Sequence, residues 1–252
     1  MRWTAAIALG IACYLAFLLL YLPAQQVVGW ISDPASAQGL MLEGPSGTLW
    51  SGTADRVSYQ RKPLGRLKWS FKPSRLLLGK IAYDIELQET GQQLEAIFLA
   101  GLGDSYRLED IDALLLARQL PEWLQLRGVR IDGKIRATQL DLSFTQDRLI
   151  AAEGSLQWLD GALNSPLNLD VGDLQADLST DSDSGDIQAQ IRDIKGAIGV
   201  QAEVRLKTDG NFQLQGTLKP GEKADPGLTG ALQAIGRRQP DGSIQLKYAG
   251  RI

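Results

Sequence analysis

Apolar and polar residues alternate along most of this chain, and a period of two is the mark of a strand with one buried face and one wet face. Leu67, Trp69 and Phe71 alternate with Lys68, Ser70 and Lys72, and Ile81, Tyr83, Ile85 and Leu87 alternate with Ala82, Asp84, Glu86 and Gln88. The rhythm returns at Val129 and Ile131, at Leu156 and Trp158, and at Leu167, Leu169 and Val171. It runs longest through Ile198, Val200, Ala202, Val204 and Leu206, then resumes at Phe212, Leu214 and Leu218 and at Ile244, Leu246 and Tyr248. Turn sequences such as SDSGD, KTDG and QPDG separate these runs. The fold class expected is mainly β.

Two runs change phase partway. Val129, Ile131 and Ile135 occupy odd positions but Leu140, Leu142 and Phe144 even ones, and Leu167, Leu169 and Val171 give way to Leu174, Ala176 and Leu178. A slip of one residue turns every side chain to the opposite face, so a continuous strand keeps one apolar face only by absorbing an extra residue. Bulges are expected near Thr138 and near Gly172 and Asp173, with a strongly curved antiparallel sheet as the consequence.

Helical pattern is scarce. Residues 109–124, EDIDALLLARQLPEWL, suggest one short helix, and a second is expected over about 226–236, where Leu228, Leu232 and Ile235 share a face. Two short helices cannot cover so many strands. The sheet must therefore form an open barrel, roll into a sandwich, or present an apolar groove to something else.

Residues 4–22 are 19 uncharged, mostly apolar positions, near the roughly 20 that a helix needs to cross a bilayer. Arg2 precedes them, and Pro23 and Trp30 follow. The expectation is a single transmembrane helix with its N-terminus in the cytoplasm and the rest of the chain across the membrane. A cleaved signal peptide has a shorter apolar region and a small-residue cleavage site, and here Leu22 stands where a small residue is wanted. The division is thus 1–30 for the cytoplasmic tip, anchor and interface, and 31–252 for an all-β domain.

The chain contains no histidine, which removes Ser-His, Cys-His and HExxH chemistry at a stroke. The lone Cys13 can form no intramolecular disulfide. Net charge is −3 with no polybasic block, so nucleic acid is not an expected partner. No catalytic, metal-binding or cofactor-binding constellation stands out, and an enzyme is not expected.

Several stretches have the composition of a site. Gly47 and Gly52 lack the lysine of a phosphate-binding loop, because Thr53 and Ala54 follow; they read as strand glycines at a bend or a close backbone approach. Residues 179–186, STDSDSGD, fail the spacing of a calcium loop and read as a hairpin turn. Residues 149–191 carry eight acids and no Lys or Arg, either a docking surface for a basic partner or a solvated strand face with its loops. Trp50, Trp69 and Trp158, together with Val204 in the longest alternating run, are the candidate partner or lipid surface, set against plain core packing.

GTLWSGTA (47–54), GRLKWSFKPSRLLLGKIAYDIEL (65–87), GSLQWLDGAL (154–163), LKTDGNFQLQGTLKP (206–220) and LQAIGRRQPDGSIQLKYAGRI (232–252), kept in that order, resemble the type II secretion system protein N family. The resemblance implies a single-pass inner-membrane protein with its C-terminal bulk in the periplasm, an accessory or scaffold component of the machinery that exports folded proteins across the outer membrane. Its partners would be other secretion subunits and the inner membrane. The family is also similar in style to periplasmic AsmA-like proteins with apolar β-grooves, so the alternative is a lipid-binding or lipid-transfer protein. It carries over no catalytic residues.

Overall fold

The computed structural model describes residues 10, 14, 17–18, 21–26, 39–59, 62–101, 104–123, 128–145, 148–165, 168–196, 198–221, 230 and 236–251. Among them the chain forms fourteen strands, every pair antiparallel, in two compact units, Met1–Thr90 and Gly91–Ile252. The expected helix over 226–236 and most of the apolar residues 4–22 lie outside the described residues. No helix among the described residues is long and apolar enough to cross a membrane.

The first unit is a meander of β1 (Leu40–Gly47), β2 (Ser51–Tyr59), β3 (Lys62–Phe71) and β4 (Ile81–Glu89), paired in chain order. A one-turn helix, α1 (Pro73–Leu76), joins β3 to β4. The second unit continues with β5 (Gln92–Ala100), β6 (Ser105–Leu116), β7 (Arg130–Thr145), β8 (Arg148–Ser165), β9 (Leu169–Thr180), β10 (Ile187–Lys195), β11 (Ile198–Leu206), β12 (Asn211–Pro220), β13 (Arg237–Arg238) and β14 (Ile244–Arg251). The order again follows the chain, except that β14 lies between β12 and the two-residue β13. Among the described residues the first and last strands of each unit do not pair, so neither sheet closes into a barrel.

The helix expected over 109–124 is corrected. Residues up to Leu116 belong to β6, and only a 3-10 turn, Ala117–Gln119, and α2 (Leu120–Trp123) are helical. Ile111 and Ala113 are buried while Asp110 and Asp112 point out. Alternation, backed by pairing to β5 and β7, overrides the acidic start that resembled a helix N-terminus.

The phase slip near Thr138 is a bulge in its own strand, whereas at the slip near Gly172 and Asp173 the extra residues lie in the flanking β8 and β10 and not in β9. Thr138 pairs with Ser155 and Asp141 with Glu153, so Gln139 and Leu140 face Gly154 alone. Leu159 and Asp160 likewise face Asp173, because Trp158 pairs with Leu174 and Gly161 with Gly172. A third, unforeseen bulge sets Glu109 and Asp110 against Asp141. Each carries a non-glycine residue at positive φ, Asp110 at 52°, Gln139 at 47° and Asp160 at 49°. A side-chain carboxylate from the adjacent strand accepts the backbone N–H at each: Asp141 from Asp110 at 2.8 Å, Asp173 from Asp160 at 2.8 Å and Asp112 from Gln139 at 3.4 Å. The aspartate supplies the acceptor that the ladder withdraws where it bulges.

Asp181, Asp209 and Asp241 fold the hairpin turns of the second unit in a related way. Their carboxyls are held below the usual carboxylate range, Asp181 first by the Ser184 backbone N–H, Asp209 first by the Asn211 backbone N–H and Asp241 first by the Ser243 hydroxyl. A folded-state pKa that is depressed contributes stability above the unfolded value, about 3.9 for aspartate, and loses it as pH falls through the lower folded value. No histidine titrates nearer neutrality. The urea midpoint of the full chain should therefore stay level from about pH 8 to about pH 5 and fall only below about pH 4; a midpoint that drops near pH 6 would contradict this account of the turns.

Candidate functional site

Trp50 and Trp69 meet in the first unit. Residues 48–51 form a tight hairpin loop, with the Thr48 N–H donating to the Ser51 carbonyl at 2.9 Å, so the stretch read as strand is two strand ends joined by a turn. Gly52 pairs with Trp69, whose ring lies so close that an added Cβ would overlap it and the Ser46 carbonyl. Close approach is thus the reason for that glycine, which an aromatic neighbour covers across the ladder. The Trp69 indole N–H donates to the Thr48 and Leu49 carbonyls, both at 3.2 Å, and closes the loop from below. Trp50 sets its ring edge-on to Phe71 with centroids 4.7 Å apart, and Phe71 continues to Tyr83 at 5.4 Å. Both tryptophans are half-buried and organise the hairpin.

The same hairpin receives the end of the N-terminal apolar segment. The Leu49 N–H donates to the Leu22 carbonyl at 2.9 Å, Pro23 bridges Thr48, and Ala24 is buried.

Trp158 and Val204 belong to the second unit. Trp158 packs against a core of Leu169, Val171, Ile198, Val200, Leu218 and Ile244, and its indole N–H donates to the Asp132 carbonyl at 2.9 Å. Val204 lies further along the face of β11 that carries Ile198 and Val200, but it is only half-buried. Register places it in an apolar row that crosses six strands: Gly154, Leu178, Ala189, Val204, Leu214 and Tyr248. Leu156, Ala176, Ile191, Ala202, Gly216 and Leu246 form the row beside it. Ser155, Asp177, Gln190, Glu203, Gln215 and Lys247 form the corresponding row on the other face. One face of this sheet is therefore apolar and incompletely covered, and the other is polar.

The acid-rich residues 149–191 divide among structural tasks. Asp173 caps a bulge, and Asp177, held low chiefly by its Gln175 hydrogen bond, pairs with Arg192 at 2.8 Å. Asp181 accepts the backbone N–H groups of Asp183 and Ser184 at 3.0 and 2.8 Å, which makes residues 181–186 a self-satisfied turn. No group of three or more Cys, Asp or Glu among the described residues is arranged to hold a metal ion.

Sequence reasoning passed over Leu76, Leu77 and Leu78, which are 56%, 90% and 68% exposed at the end of α1. Their signal was an apolar run between Pro73 and Gly79, where a turn is punctuated and solvent is expected.

The family model for the type II secretion system protein N matches residues 38–247. Curated relatives carry the same description. A protein of Vibrio cholerae serotype O1 is 30% identical over 89% of this chain and 88% of its own length, and one from Aeromonas hydrophila is 30% identical over 97% of each. A third, from Klebsiella pneumoniae, is 29% identical over 95% of this chain and 92% of the relative. No solved structure matches significantly. With a family model covering most of its length and relatives aligned nearly end to end, the chain belongs to the type II secretion system protein N family.

Proposed function

We propose that this protein is a non-enzymatic accessory component of the type II secretion system, anchored in the inner membrane by residues 4–22 with its β units in the periplasm. Family membership is the observation that carries the reading. The uncharged 19-residue stretch behind Arg2 supports the anchor and its direction. Partner contact is then a matter of surfaces. Among the described residues β1 pairs only with β2, which offers other secretion subunits a backbone edge for strand addition.

Clean deletion of the protein should trap a normally secreted enzyme in the periplasm behind an intact outer membrane, read as enzyme activity in periplasm against medium. Normal secretion through an unchanged envelope would refute the role.

The two apolar rows of the second unit favour a second reading, in which the face from Leu178 to Tyr248 shields acyl chains. Under it, phospholipid co-purifies with the full chain, and deletion gives a leaky, detergent-sensitive envelope with secretion preserved. Protein isolated lipid-free under gentle conditions would count against it.

A further inference from the structure

The loop between β3 and β4 exposes more apolar side chain than its own packing requires. Leu76, Leu77 and Leu78 are 56%, 90% and 68% exposed, and Ile81 just beyond them is 48% exposed. Burial of a leucine is favourable in proportion to the apolar area it removes from water. A contiguous exposed apolar patch therefore points to a surface that water does not normally cover.

What surrounds the leucines narrows the choice. Residues 72–83 contain Lys72, Arg75 and Lys80 and no acid. Lys72 pairs with Asp84 at 2.8 Å, and Lys80 follows the apolar tip directly after Gly79. An apolar tip beside a cationic residue matches the boundary between acyl chains and anionic headgroups.

The loop also lies at an informative end of the unit. β3 ends at Phe71, whose N–H donates to the Trp50 carbonyl at 2.6 Å, and Lys72 donates to the Ala82 carbonyl at 2.8 Å. Trp50 belongs to the hairpin that holds Leu22 and Pro23. The leucine loop and the end of the N-terminal apolar segment therefore occupy the same end of the first unit's sheet.

We propose that the Leu76–Leu78 loop is a second membrane contact: it inserts its leucines into the interface of the bilayer that residues 4–22 enter, with Lys80 at the anionic phospholipid headgroups. The inference rests on the anchor reading. It makes the first unit a body held to the bilayer at two points instead of one swinging on a tether.

The test uses the full chain with Cys13→Ser and Leu77→Cys, labelled with an environment-sensitive fluorophore and reconstituted into vesicles of phosphatidylethanolamine and phosphatidylglycerol. A companion carries the label at Thr90→Cys, the opposite end of β4. At position 77 the emission should shift to the blue and be quenched by lipids spin-labelled near the headgroup, more strongly as phosphatidylglycerol increases. At position 90 it should stay water-like. If the protein floats with the vesicles yet the label at 77 remains water-like, the loop proposal fails and the anchor stands. A label sheltered from aqueous quencher but untouched by lipid quencher would place the loop against protein surface instead of lipid and equally overturn the proposal. Protein that does not float would overturn both.

Discussion

Gly172→Val should severely destabilise the second unit. Gly172 sits in β9 at φ +78°, where a β-branched residue is a genuine outlier. The strain is the smaller part. A Cβ there would overlap the Lys195 carbonyl and come within 2.6 Å of the Gly196 Cα, and both are backbone atoms of the adjoining chain that cannot swing aside. Relief requires parting β9 from β10 at a level where β9 is also paired to β8 through Gly172 and Gly161. The expected cost exceeds about 4 kcal/mol, the range reserved for core disruption, against a typical total of about 5–15 kcal/mol. Gly242→Val separates the two contributions, because Gly242 has φ +81° with nothing within 4 Å. It should cost only the backbone strain, about 1–2 kcal/mol. Urea titration of the full chain, followed by tryptophan fluorescence, reads both variants; equal shifts would mean that the crease at Gly172 does not constrain the sheet.

Ile198→Asp and Val204→Asp should part company although they lie on the same face of one strand. Ile198 is 1% exposed within the core of the second unit, and a carboxylate there would lose its hydration with no partner to replace it. We expect more than about 4 kcal/mol of destabilisation and loss of the unfolding transition. Val204 is half-buried between Ala189 and Leu214, so its aspartate can reach water, and a cost near the ordinary value of about 1 kcal/mol is expected. If the apolar rows hold acyl chains, folded Val204→Asp should lose co-purifying phospholipid. A folded variant that keeps its full lipid complement would remove Val204 from the ligand surface.

The strands were legible because alternation is local: burial of one face imposes a period of two on each strand whatever its neighbours. The bulge at Gln139 was legible for the same reason, since a slip in phase is visible within one run; the slip at Gly172 and Asp173 marked the right level of the sheet, but only pairing shows that the extra residue there is Asp160 of β8. The bulge at Asp110 was not, because the acids of residues 109–112 mimic a helix start and only pairing with β7 distinguishes the two. Trp50 and Trp69 were singled out, but their roles came from partners distant in sequence, Phe71 for one and the carbonyls of Thr48 and Leu49 for the other.

By itself the sequence determined a β protein with one apolar and one polar strand face, two places where the ladder must bulge, and an uncharged N-terminal stretch, all of them properties of residues within a few positions of one another. Only the tertiary structure decided that the units stay open, that apolar positions from six strands align into rows, and that three leucines beside Pro73 point outward. Register and exposure depend on which segments pair, and that choice is settled by contacts across the whole sheet and not by any one strand.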